Sequence, residues 1–224
     1  MSFRLARAWM GLFCLVVLAG CSSTVKLSPR DREMTRAIAL PDRVMLGTPY
    51  HWSQGEAIQS SFGAIGAAAA LSDGAEQAAL RRAAERDEVD LRKIILEEFE
   101  SQIRDRRVFG IVERDRADAI LEVDVPRYGL AVSSAFSSGM KPVLDIAARL
   151  KRADGRVIWQ DHDSETGETD SSYSFSDYMT RPELLREAWR GTAHVVVKSL
   201  IDGLAGTSTS NPEPGDTPIS QEAK

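Results

Sequence analysis

The stretch that decides the fold is Leu144-Asp145-Ile146-Ala147-Ala148-Arg149-Leu150-Lys151-Arg152-Ala153-Asp154-Gly155-Arg156-Val157-Ile158-Trp159. Leu144, Ile146, Ala148 and Leu150 alternate with Asp145, Arg149 and Lys151, which is the period of a strand with one face in a core and one toward water. Asp154-Gly155 supplies the turn and Val157-Ile158-Trp159 opens the returning strand, so the segment predicts a β-hairpin. Upstream, Ala119, Leu121, Val123 and Val125 alternate with Glu122 and Asp124 to give another half-buried strand. Pro126, which lacks an amide for the ladder, is expected to bring that strand toward its end or to an edge.

Helical patterns flank this sheet. From Glu76 to about Arg106 the chain reads as one helix, with Leu91, Ile95, Phe99 and Ile103 four residues apart on a single face. Thr180-Arg181-Pro182-Glu183 fits a capping box with proline in the first turn. Leu185, Trp189, Thr192, Val196 and Leu200 then form the core-facing stripe of a second helix, which Gly203 or Gly206 ends. Arg43 to Thr48 and Val108 to Glu113 are short strand candidates, and Ser133 to Gly139 is a Ser-rich loop. The expected fold is α+β, an antiparallel sheet of about four to five strands covered on one face by two helices.

The two ends read differently. Arg4 and Arg7 precede the apolar run Gly11-Leu12-Phe13-Cys14-Leu15-Val16-Val17-Leu18, the pattern of a secretory leader and shorter than the roughly 20 apolar residues of a membrane span. Its ending, Leu18-Ala19-Gly20-Cys21, resembles the lipobox of bacterial lipoproteins. That resemblance implies cleavage before Cys21, a diacylglycerol on its thiol and an acyl chain on its amine. Ser22 after the cysteine, in place of Asp, is similar to the signal for onward sorting to the outer membrane. The expected organisation is a leader over 1–20, a tether over 21–42, a domain over 43–205 and a disordered tail over 206–224, which holds Pro212, Pro214 and Pro218. Within the domain, 57–72 is uncharged and rich in Ala and Gly, read as a helical connector or as a contact surface for another subunit or the membrane.

Composition narrows the function. The 224-residue chain has 43% hydrophobic residues, enough for a core, and a net charge of −5. Removing 1–20 takes away Arg4 and Arg7 but no acid, so the mature chain stands at −7. Arg104, Arg106 and Arg107 alternate with Glu100 and Asp105, so no basic face for nucleic acid is expected. The only cysteines are Cys14, inside the leader, and Cys21, which leaves no disulfide and no thiolate zinc site for the domain.

No chemical motif stands out. His51, His162 and His194 sit in no sequence pattern that identifies a reaction, and no Gly-x-Ser-x-Gly, His-Glu-x-x-His or Gly-x-x-x-x-Gly-Lys occurs. Asp161-His162-Asp163-Ser164-Glu165 resembles half a calcium loop but has Thr166 where the loop needs glycine and Ser172 where it needs glutamate. Tyr173, Phe175 and Tyr178 cover one end of the core or form an aromatic contact surface.

The order of elements, with stretches such as Ala117-Asp118-Ala119-Ile120-Leu121-Glu122-Val123 and Gly155-Arg156-Val157-Ile158-Trp159-Gln160-Asp161, resembles small envelope domains of the curli-secretion lipoprotein and of the amino-terminal part of the Tol-system β-propeller protein. The resemblance covers roughly 43–205 and implies a fold and an address. It carries over no catalytic, metal or cofactor residue. The expected function is that of a non-enzymatic accessory or assembly subunit at the outer membrane, facing the periplasm and held to the bilayer by the acyl chains on Cys21. Its expected partner is an envelope protein or a second copy of the chain. The alternatives are a carrier of a lipid or other apolar ligand and, less supported, a hydrolase with an unfamiliar site.

Overall fold

The computed structural model describes residues 24–52, 67–86, 89–132, 139–166 and 173–206. The hairpin forms as its alternation predicts, from β5 (Met140–Arg152) and β6 (Val157–Thr166), with Leu150 opposite Trp159 and Ile146 opposite Asp163. β4 (Ala119–Val132) lies antiparallel to β5. On its other side β4 takes β1 (Ala37–Ala39) and β2 (Met45–Trp52), both parallel to it, and β3 (Gly110–Ile111) extends the sheet parallel to β1. The α+β class holds, but the sheet is six-stranded and mixed where an antiparallel one was expected. Alternation reports which face of a strand is buried and not the direction of its neighbour. Here the parallel pairing is made possible by the helices that carry the chain from β2 back to the start of β4.

Those helices are α2 (Ala67–Glu85) and α3 (Leu91–Arg106), two where one was expected. Asp90 starts the second, its carboxylate accepting the amides of Arg92 at 2.9 Å and Lys93 at 3.3 Å. The greasy face of the predicted helix survives on α3, where Leu91, Ile95, Phe99 and Ile103 are fully buried. α3 packs on the long α5 (Pro182–Ala205), which in turn lies on β5 and β6, while α2 contacts β2. The stripe Leu185, Trp189, Thr192, Val196 and Leu200 faces the core as expected. The α5 cap differs from expectation. Thr180 ends a separate short helix, α4 (Phe175–Thr180), and its hydroxyl donates to the Ser176 carbonyl at 2.8 Å. The capping box belongs to Ser174 and Asp177 at the start of α4. Gly206, with φ 75°, closes α5.

Pro126 neither ends β4 nor lies at an edge. Between Asp124 opposite Ala147 and Arg127 opposite Asp145 the register slips by one, a β-bulge that removes the need for an amide at Pro126. The β2 side stays in register across the same residues, and Gly47 there lies so close that an added Cβ would meet the Pro126 carbonyl oxygen. Three residues on, Gly129 sits equally tight against Tyr50.

The expected tether is a built part of the domain from Val25 onward. Val25 exchanges both backbone hydrogen bonds with Gln160 on the edge of β6, at 2.8 and 2.9 Å. Ser28 caps α1 (Pro29–Met34), and the chain then enters β1. The fastenings are remote in sequence. Arg156 grips Asp31 with both guanidinium nitrogens, at 2.7 and 3.3 Å, Arg32 donates to the Leu204 carbonyl near the end of α5, and Asp118 accepts the amides of Arg36 and Ala37 at 2.8 and 3.0 Å. No local period announces such a strap, because its partners lie 81 to 172 residues away.

The strap makes stability pH-dependent in a defined sense. The hydrogen bond from Arg156, then that from Ser28, holds the Asp31 carboxyl below its ordinary 3.8. The amides of Arg36 and Ala37 do the same for Asp118. A carboxyl with a depressed folded pKa contributes fully above its unfolded value and loses that contribution as pH falls through the folded one. Melting temperature is therefore expected to be level above about pH 5 and to fall below about pH 4. Asp31→Asn should lower it at neutral pH and flatten the acid limb. An acid limb as steep as that of wild type would show that this pairing contributes nothing.

Candidate functional site

Over 119–125 the odd residues of β4 are buried beneath the helices and the even ones, Ile120, Glu122 and Asp124, are half-buried on the opposite, open face. Cross-strand register places Lys151 opposite Ile120 and Arg149 opposite Glu122 on that face. Arg149 Nε donates to Glu122 Oε2 at 2.5 Å and Nη2 lies 3.7 Å from Asp124 Oδ2, while Lys151 Nζ lies 3.6 Å from Glu122 Oε1. The Arg149 hydrogen bond holds the Glu122 carboxyl below its usual range, and Glu122 in turn raises the Arg149 guanidinium. These groups are partly solvated, so the ladder contributes little to stability and sets a charge pattern instead.

Beside the ladder the loop from Pro41 to Arg43, Met45 at the start of β2, and Arg114 wall a groove of about 320 Å³ floored by Ile120. Met45, 53% exposed, is a large apolar side chain open to solvent there. Arg114 and Asp42 pair across the rim at 2.6 Å. A second hollow, of about 370 Å³, lies between this loop and the start of α3, lined by Arg43, Asp90, Arg92, Lys93, Glu97 and Glu100 among others. Six charged residues line the first and seven the second, which sets these spaces apart from the mostly apolar pockets that take small ligands.

Farther along the same face His162 Nε2 lies 2.5 Å from Asp145 Oδ1, and Arg127 Nη2 lies 3.9 Å from the other carboxylate oxygen while stacking over the Tyr50 ring. The Asp145 side chain is only 12% exposed. A carboxylate that orients an imidazole is half of a base-activated nucleophile. Among the described residues the hydrogen bond shown for the ring of His162 is the one to Asp145. His194 instead stitches α3 to α5, with Nδ1 2.8 Å from Glu98 Oε1 and 3.2 Å from Gln102 Nε2.

The remaining sequence candidates separate clearly. Asp161 and Asp163, which resembled calcium ligands, stand along β6, each accepting the amide of the residue after it, at 2.9 and 2.8 Å. Among the described residues no group of three or more His, Cys, Asp or Glu side chains is placed to hold a metal, and no helix is long and apolar enough to cross a membrane. Tyr178 is buried with its hydroxyl donating to the Met140 carbonyl, and Tyr173 packs edge-on against it. Cys21, residues 57–66, 133–138 and the tail from 207 lie outside the described residues, as does the side chain of His51. The charge ladder and the Asp145–His162 pair were not singled out in the sequence, although the alternating acids and bases of the two strands already implied one charged face.

No family model matches the chain, and no curated protein matches it. Among solved structures it is similar to the PelC dodecamer from Paraburkholderia phytofirmans, at 13% identity, over 81% of this chain and 94% of that one, with a TM-score of 0.43. It is also similar to protein XCC0632 from Xanthomonas campestris, at 16% identity over 51% and 61% of the two chains and a TM-score of 0.39. Lipoprotein GNA1162 from Neisseria meningitidis matches at 15% identity over 68% of this chain and 96% of that one, with a TM-score of 0.23.

Proposed function

We propose that this is a lipid-anchored envelope protein that works as a non-enzymatic accessory or assembly subunit, presenting the open face of its sheet to a protein partner. The observation that carries the reading is Leu18-Ala19-Gly20-Cys21 at the end of a basic and apolar leader. Acylation at Cys21 adds about 0.8 kcal/mol of membrane affinity per buried methylene, and two or three chains give lasting attachment. Ser22 supports the outer membrane as the address, and a periplasm-facing domain is part of the proposal.

The open face favours a macromolecular partner. Its alternating Glu122, Arg149, Asp124 and Lys151 beside exposed Met45 and half-buried Ile120 combine a charge pattern that sets register with a small apolar centre. A carrier of apolar ligands would be better served by an enclosed apolar cavity than by the two charge-walled hollows.

The test is recovery of the untagged protein from gently solubilised membranes. A stoichiometric companion or a homo-oligomer is expected, and a clean monomer at native abundance contradicts the proposal. Arg149→Glu, which reverses one rung without touching the core, is expected to weaken co-purification at least tenfold, equivalent to about 1.4 kcal/mol, while leaving the melting temperature within a few degrees of wild type.

A further inference from the structure

The free edge of β6 is finished against further strands. Its outward amides fall on the even residues, and those of Gln160, His162 and Ser164 are engaged. The first donates to the Val25 carbonyl at 2.9 Å, and the other two donate to the carboxylates of Asp161 and Asp163. An edge with most of its donors engaged is a poor template for pairing with another chain. The acidic run that resembled a calcium loop therefore acts as an edge cap.

The same edge receives the chain from its amino-terminal side. Val25 bridges antiparallel to Gln160, so Thr24, the first described residue, lies on the Asp161 side of that bridge. Cys21 precedes Val25 by four residues. An extended chain covers at most about 3.6 Å per residue, so the two are no more than roughly 14 Å apart. From this we infer that β6 is the side the domain turns to the lipid surface, held within about one and a half nanometres of the headgroups by a link too short to let it tumble. The inference rests on the proposed acylation of Cys21.

Charge on the connecting stretch agrees. Of the exposed ionised residues between Thr24 and β1, Lys26, Arg30 and Arg36 are cationic and Glu33 is anionic, a net positive charge that suits anionic headgroups. Asp161, Asp163 and Glu165 add negative charge along β6 itself, so the attraction to headgroups comes from the amino-terminal stretch and the position from the short link. β2 lies three strand spacings from β6, about 14 Å, on the far side of β4 and β5. Partners accordingly approach from the β2 side and the open face, where Met45 and the Glu122–Arg149 ladder stand.

The mature chain has no thiol besides Cys21, so one introduced cysteine is uniquely labelled. Ser164→Cys on β6 and Thr48→Cys on β2 replace exposed residues. Each full-length acylated variant is labelled with a fluorophore and placed in phosphatidylethanolamine and phosphatidylglycerol vesicles containing a lipid with a headgroup nitroxide. Quenching severalfold stronger at 164 than at 48 is expected, and inserting about ten Gly and Ser residues before Thr24 should erase the difference. Equal quenching at the two positions, or stronger quenching at 48, in protein whose intact mass includes the acyl chains overturns the orientation. Protein without acyl mass overturns the anchor reading and the orientation with it.

Discussion

Gly129→Ala is expected to cost the domain about 3 kcal/mol or more, enough to lower its melting temperature by roughly 6–12 °C. A Cβ built at Gly129 falls 1.6 Å from the Tyr50 carbonyl oxygen and 2.6 Å from its carbon, and φ there is 154°. The obstacle is the backbone of β2, paired to β4 from Met45 to Trp52, so relief requires the parallel ladder itself to part. Gly191 supplies the control. It lies exposed in the middle of α5 with nothing within 4 Å of an added Cβ, so Gly191→Ala should stabilise by about 0.5–1 kcal/mol through helix propensity alone. Thermal melts of the two variants beside wild type are expected to shift in opposite directions. A Gly129→Ala melt equal to wild type would mean that β2 does not pack on β4 as described.

The parts of the fold that could be read from sequence are those whose signal is local. Leu144 to Trp159 carried its alternation and its Asp-Gly turn within one short window, and the stripes on α3 and α5 repeated over several turns. What escaped depends on partners remote in the chain. Nothing near Asp31 points to Arg156, and nothing near Val25 points to Gln160, yet these contacts turn an apparent tether into part of the domain. Pro126 misled because its tolerance comes from a bulge defined by β5. The candidate site shows the same division. One charged face was implicit in Glu122, Asp124, Asp145, Arg149 and Lys151, whereas the approach of His162 to Asp145 follows from register, which sets His162 opposite Ala147 and diagonal to Asp145.

Cys21→Ser is expected to release the protein from the membrane altogether. The acyl chains are the proposed attachment, and no described helix could replace them as a span. Tens of buried methylenes at about 0.8 kcal/mol each exceed anything that Lys26 and Arg30 can supply, since each basic residue near an anionic surface contributes about 1 kcal/mol. The variant should still fold, because the described domain begins at Thr24 and its strap is fastened from Val25 onward. The orientation on β6 and the search for an envelope partner both depend on this single residue. The most direct test is intact mass together with membrane fractionation of wild type beside Cys21→Ser. Wild type that begins at Cys21, carries acyl mass and sediments with membranes, beside a variant that is folded, unacylated and soluble, is the expected result. Two proteins that fractionate alike and lack acyl mass would contradict the account.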